Sequence, residues 1–156
     1  GLAVLATERN VKLMEHHNHF AGMVQEMEFP DDEPQYYFLN LGETHYPYML
    51  SGENLPHISG VHGAVKGIAA DPSTAVAGGK QVFEPEQLAM LRAQQVKCVE
   101  YIDGLIGTLY EKAPPNTWFI VTADHGELFG EEGYFGHGPI MHEKCFEIPY
   151  VEGRVK

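Results

Sequence analysis

The sequence predicts an α/β fold, a mainly parallel sheet flanked by helices, and three observations carry that expectation. Residues 117–122, TWFIVT, form a short and almost continuously apolar run, the pattern of a strand buried on both faces. A long helical repeat over residues 85–110 stands directly before it, so helix and strand follow each other as an αβ unit. Asp124 and His125 come immediately after the run, and in open α/β sheets the chemistry lies just beyond the carboxyl ends of strands.

Taken in order, residues 8–27 carry Val11, Met14, Phe20, Val24 and Met27 at helical spacing, with His16, His17 and His19 among them. These three histidines project from different faces of such a helix, which makes them a solvated surface rather than a metal cluster. The acidic turn Pro30–Asp–Asp–Glu–Pro34 ends the helix. Tyr36–Leu41, YYFLNL, is a second strand expectation, with Tyr36 and Tyr37 assigned to the core. His45 follows in the restricted turn Gly42–Glu–Thr–His–Tyr–Pro–Tyr48. Residues 49–80, rich in Gly, Ser, Pro and Ala, read as a long loop or lid.

From Pro85 the pattern changes. Leu88, Leu91, Gln95, Cys98, Val99, Ile102, Leu105, Ile106 and Leu109 recur at helical spacing, proline occupies the first turn, and Ala113–Pro–Pro stops the helix. The apolar strand 117–122 follows, with Trp118 in the core. A glycine-rich acidic loop leads to His137, a short helix is expected near residues 141–146, and Ile148–Val151 reads as a last short strand.

At 156 residues the chain has the length of one domain, residues 1–156. The formal charge of -12, from 22 acidic against 10 basic residues, disfavours nucleic acid and anionic membrane as partners. No apolar run reaches the ~18 residues of a membrane span, and Gly1–Ala6 is too short for an export signal, so the expected compartment is the cytoplasm. A start without methionine fits a processed chain or a piece of a longer one. Cys98 and Cys145 make no disulfide framework and read as reduced thiols.

The chemistry concentrates at Asp124–His125. A carboxylate oxygen beside an imidazole nitrogen suits zinc, manganese or iron better than calcium; the plainer reading of the same tripeptide is a strand-end cap. Glu127, Glu131 and Glu132 read as a solvated acidic loop, and His57, His62 and His142 as unpaired surface histidines.

The stretch ADHGELFGEEGYFGHG, with VEYIDGLIGTLYEKAPPNTWFIVT before it and EIPYV after it, resembles the C-terminal half of the sulfatase branch of the alkaline phosphatase superfamily, and YFLNLGETHYPY resembles that family's strand ending in His-x-Pro-Tyr. The resemblance implies an alkaline phosphatase/sulfatase-like sheet, truncated on its N-terminal side. It implies metal-dependent hydrolysis or transfer at a sulfate or phosphate ester, with a small anionic ester as substrate and a divalent metal, zinc or manganese before calcium. By position it makes Asp124 and His125 metal ligands, and His45 and His137 the groups that contact the ester oxygens and the leaving group. His125 stands where many arylsulfatases carry asparagine, which leans toward a transition metal and phosphate esters. The family's nucleophile motif, Cys/Ser-x-Pro-x-Arg, has no counterpart in this sequence. Two expectations follow: part of a larger enzyme, or a non-catalytic metal-binding or assembly remnant. In either case the sheet edge is covered by a homodimer partner or by a missing N-terminal segment.

Overall fold

Where the chain can satisfy its backbone decides which of these elements form. The computed structural model describes residues 3–7, 10–14, 20–30, 34–48, 65–66, 83–138 and 140–156. Strands β1 (Ala3–Thr7) and β2 (Asn10–Met14) pair antiparallel, with Ala3 opposite Met14 and Thr7 opposite Asn10. Residues 10–14 of the helix expected from residue 8 are therefore strand, and its described helical part is α1 (Phe20–Glu26). Val11 and Leu13 also alternate with Asn10 and Lys12, and pairing with β1 selects that period of two over the helical one. His16, His17, His19, His57 and His62 lie outside the described residues.

Helix α1 buries Phe20, Met23 and Val24. It is fastened at both ends. The buried Glu43 carboxylate accepts the Phe20 N–H at 2.8 Å, and Lys112 Nζ donates to the carbonyls of Val24 and Gln25 at 2.8 and 3.0 Å. A cation on the last carbonyls of a helix complements both their lone pairs and the helix dipole.

Residues 36–41 are extended but form no strand among the described residues. Their side chains alternate outward and inward, which leaves Tyr36 at 75% exposure and Phe38 at 56%. This corrects the expected strand: an extended run becomes one only when a neighbour takes its N–H and C=O groups. Of the expected loop 49–80, only Val65–Lys66 is described, and it is a strand, β3, stabilised by a partner downstream.

Helix α2 (Pro85–Lys112) matches its repeat closely. Leu88, Leu91, Cys98, Ile102 and Leu109 are its buried face. Gln87 Oε1 accepts the N–H of Glu84 at 2.8 Å, the reach-back contact of a capping box. Strand β4 (Trp118–Thr122) follows, hydrogen-bonded to β7 (Tyr150–Arg154). Thr122 Oγ1 meets the Pro149 carbonyl, and Thr117 and Asn116 bond to Val155, so the two run antiparallel. Trp118 and Ile120 are 64% and 63% exposed, which corrects the expected burial on both faces. Burying both faces takes a packed layer on each side, and the outward face of β4 has none among the described residues.

The remaining sheet has the order β3–β6–β5, with β5 at Leu128–Phe129 and β6 at Tyr134–Gly136. Gly130, at φ 118°, opens the turn of a β5–β6 hairpin, a conformation that side chains resist. Phe135 is the hairpin's anchor, 1% exposed, with the rings of Phe83 and Phe129 edge-on at 4.8 and 5.8 Å. Helix α3 (Glu143–Phe146) is capped by His142, whose Nδ1 accepts the N–H of Lys144 at 3.1 Å. His142 is thus a cap rather than an unpaired surface group. No parallel sheet occurs among the described residues. Parallel neighbours need a crossover of a dozen or so residues, whereas β5 and β6 are joined by the short turn 130–133.

The chain divides into two compact units, one of residues 1–51, 95–117 and 154–156, the other of residues 52–94 and 118–153. Among the described residues no helix is long and apolar enough to cross a membrane.

Candidate metal and ester site

The antiparallel register of the β5–β6 hairpin builds the site. Leu128 stands opposite Gly136 and Phe129 opposite Phe135, so one step outward brings Glu127 across from His137. The contact is there: His137 Nδ1 lies 3.3 Å from both carboxylate oxygens of Glu127, whose side chain is only 6% exposed. The His125 ring stacks on that of His137 with centroids 3.6 Å apart. One ligand atom each from His125, Glu127 and His137 falls within 4.8 Å of the others. Asp124 stands at the rim, 83% exposed, with Oδ1 3.7 Å from His125 Nε2.

Gly126 holds this loop in place by close approach. Its N–H donates to the Cys145 carbonyl at 2.9 Å, and a Cβ at this position would stand 1.9 Å from the Lys144 carbonyl oxygen. The glycine is needed because the backbone of α3 occupies the space of a side chain, and no unusual φ is involved.

Hydrogen bonding fixes the chemistry of the imidazoles. His125 Nδ1 lies 2.9 Å from the Gly126 carbonyl, which can only accept, so Nδ1 carries the proton and Nε2 the lone pair. Two electron-rich atoms, His125 Nε2 and Asp124 Oδ1, then face each other across 3.7 Å with no proton between them. An ion with ligand bonds of about 2.0–2.2 Å can bridge that gap, and nitrogen beside carboxylate oxygen is a donor set for a transition metal. The residues fit a divalent metal.

Burial, and after it the neighbouring His125, lower the pKa of His137, with Asp124 acting in the opposite direction. Cys145 is buried, and burial pushes its thiol up, as do Glu127 and Glu131. Both cysteines are buried thiols outside any disulfide, a setting that makes a thiol inert rather than nucleophilic.

The structure thus brings together three of the four residues expected from the sequence, Asp124, His125 and His137. His45 lies in the other unit, on a turn closed by His45 N–H to Gly42 O at 3.0 Å and Tyr48 N–H to His45 O at 2.8 Å. Its Nδ1 contacts the Tyr46 carbonyl at 2.6 Å, which again leaves the lone pair on Nε2. Glu127 is the residue the sequence reading passed over as solvated. The signal was present: LF, a glycine-bounded turn and YFG read as a hairpin, and pairing it sets Glu127 against His137.

A family model described as Sulfatase matches residues 16–151 of this chain. A protein of Escherichia coli (strain K12) described as "Uncharacterized sulfatase YidJ" is 33% identical over 58 residues, covering 35% of this chain and 12% of that protein. The chain therefore spans only a small part of the length of the relative it matches. No solved structure matches it.

Proposed function

The chain belongs to the sulfatase family, and from that premise we propose that it forms the metal and leaving-group side of a site that hydrolyses sulfate esters. The family carries an alkaline phosphatase-like α/β fold and is metal-dependent as a class. The observation that supports the reading most is the convergence of Asp124, His125 and His137 on one loop and hairpin, with two lone-pair atoms facing each other at 3.7 Å.

In this reading Asp124 and His125 hold the divalent metal, zinc or manganese. Bound there, it supplies positive charge against the ester oxygens and against the chain's own charge of -12. His125 is kept in its ligating form by the Gly126 carbonyl. Protonated at both nitrogens, His137 contacts the ester oxygens and gives the departing oxygen a proton from Nε2, as an imidazolium does. No residue of this sequence sits in the family's nucleophile motif, so the attacking group comes from a further segment or from a partner chain, and the activity belongs to that larger assembly. His125 in place of asparagine favours a phosphate ester as the second reading. A metal-binding remnant without catalysis is the third.

The test compares aryl sulfate with aryl phosphate hydrolysis by the chain joined to the nucleophile-bearing segment of a relative. The reading predicts sulfate turnover that needs added metal and falls by about 10²–10⁴-fold in His137→Ala. A faster phosphate reaction selects the second reading. Turnover unaffected by His137→Ala, or no turnover with metal bound, removes the catalytic one.

A further inference from the structure

We infer that Glu127 is the positioning residue of this site: its carboxylate holds the Nδ1 proton of His137, so that Nε2 is the atom presented to ligand. The inference rests on the reading of His137 as part of the site and deepens it. The β5–β6 register places the two residues directly opposite each other. The contact is shared evenly between the two carboxylate oxygens, each 3.3 Å from Nδ1. Glu127 is nearly inaccessible, at 6% exposure, while Asp124 is 83% exposed. A buried acceptor in this position orients a neighbour; the exposed carboxylate is the one open to an incoming ion. An ionised carboxylate has no proton to give, so the imidazole is the donor in this pair.

The same arrangement recurs one residue pair away, where the Gly126 carbonyl holds the Nδ1 proton of His125. Two stacked rings, 26° from parallel, are then fixed in the same tautomer by two different acceptors. Histidines that bind metal through one nitrogen commonly give the other N–H to a carboxylate or a carbonyl, and the same acceptor would hold the Nδ1–H of an imidazolium whose Nε2–H meets an anion. The competing assignment makes Glu127 a third ligand beside His125 and His137, with which it shares a 4.8 Å cluster.

Long-range 1H–15N correlation spectra of the metal-free chain at about pH 8, where an unperturbed imidazole is neutral, separate the two. The expected result is His137 as the Nδ1–H tautomer in the wild type and in Glu127→Gln, whose amide oxygen still accepts the proton, and a shift toward Nε2–H in Glu127→Ala. Titration with Zn²⁺ alone should then leave both Glu127→Ala and Glu127→Gln within a few-fold of wild type, because Asp124 and His125, and not His137, hold the ion. Nε2–H in the wild type overturns the inference. So does an equal loss of Zn²⁺ affinity in both variants with the tautomer unchanged, which makes Glu127 a ligand. If the wild type binds no Zn²⁺, the metal reading fails, and the tautomers of the metal-free protein still decide the role of Glu127.

Discussion

Substituting Gly126 by alanine tests whether the site loop is held by close packing onto α3. The added Cβ would stand 1.9 Å from the Lys144 carbonyl oxygen, 3.0 Å from its carbon and 3.1 Å from the Glu147 carbonyl oxygen. An ordinary C···O contact begins at about 3.3 Å, so loop and helix must part by more than an ångström, and both obstacles are backbone. Overpacking of this kind costs about 1–3 kcal/mol. Losing the Gly126 N–H to Cys145 O bond adds about 1 kcal/mol, and the stiffer unfolded chain returns about 0.4–1 kcal/mol. The net expectation is about 2–3 kcal/mol of destabilisation in urea unfolding, with weakened metal binding because the Gly126 carbonyl that orients His125 moves too. Gly104→Ala is the control: nothing lies within 4 Å of its Cβ, and in a helix interior the exchange should stabilise by about 0.5–1 kcal/mol. A loss below about 0.5 kcal/mol for Gly126→Ala, smaller than a single lost hydrogen bond, would refute the packing argument.

Lys112→Met removes the two bonds to the last carbonyls of α1 and should cost about 1–2 kcal/mol, seen as a Tm lower by about 2–8 °C for a chain of this size. Phe135→Ala, between the two edge-on rings of Phe83 and Phe129, should cost about 3–5 kcal/mol; a near-neutral result would remove it as the anchor of the hairpin. The lowered pKa of His137 also has a sign. The unfolded chain takes up this proton first, so the contribution is fully present above about pH 6.5, the unfolded value, and is lost as pH falls toward the folded one. Unfolding in the presence of chelator should show that slope, and His137→Gln should flatten it.

Helix α2 was legible down to its first residue because its stability is local: Pro85 starts it, and Leu88, Leu91, Cys98, Ile102 and Leu109 repeat on one face. The position of β4 was legible for the same reason, whereas the exposure of Trp118 and Ile120 was not, since which face is covered depends on elements distant in sequence. Strand β2 was read as part of a helix because Val11 and Met14 fit the helical spacing while Val11 and Leu13 fit a strand, and only the pairing partner decides. Asp124 and His125 stood out by residue type and by their place at a strand end. Glu127 and His142 did not: one acts through strand register and the other through a cap, and a residue's role in such contacts is invisible until the pairing is known.

The central claim is that Asp124 and His125 hold a divalent metal, and elemental analysis of the purified chain tests it most directly, beside the Asp124→Ala, His125→Ala double variant. The account predicts near-stoichiometric zinc or manganese in the wild type and its loss in a variant that still folds. A folded wild type that retains no metal after incubation with either ion would contradict it.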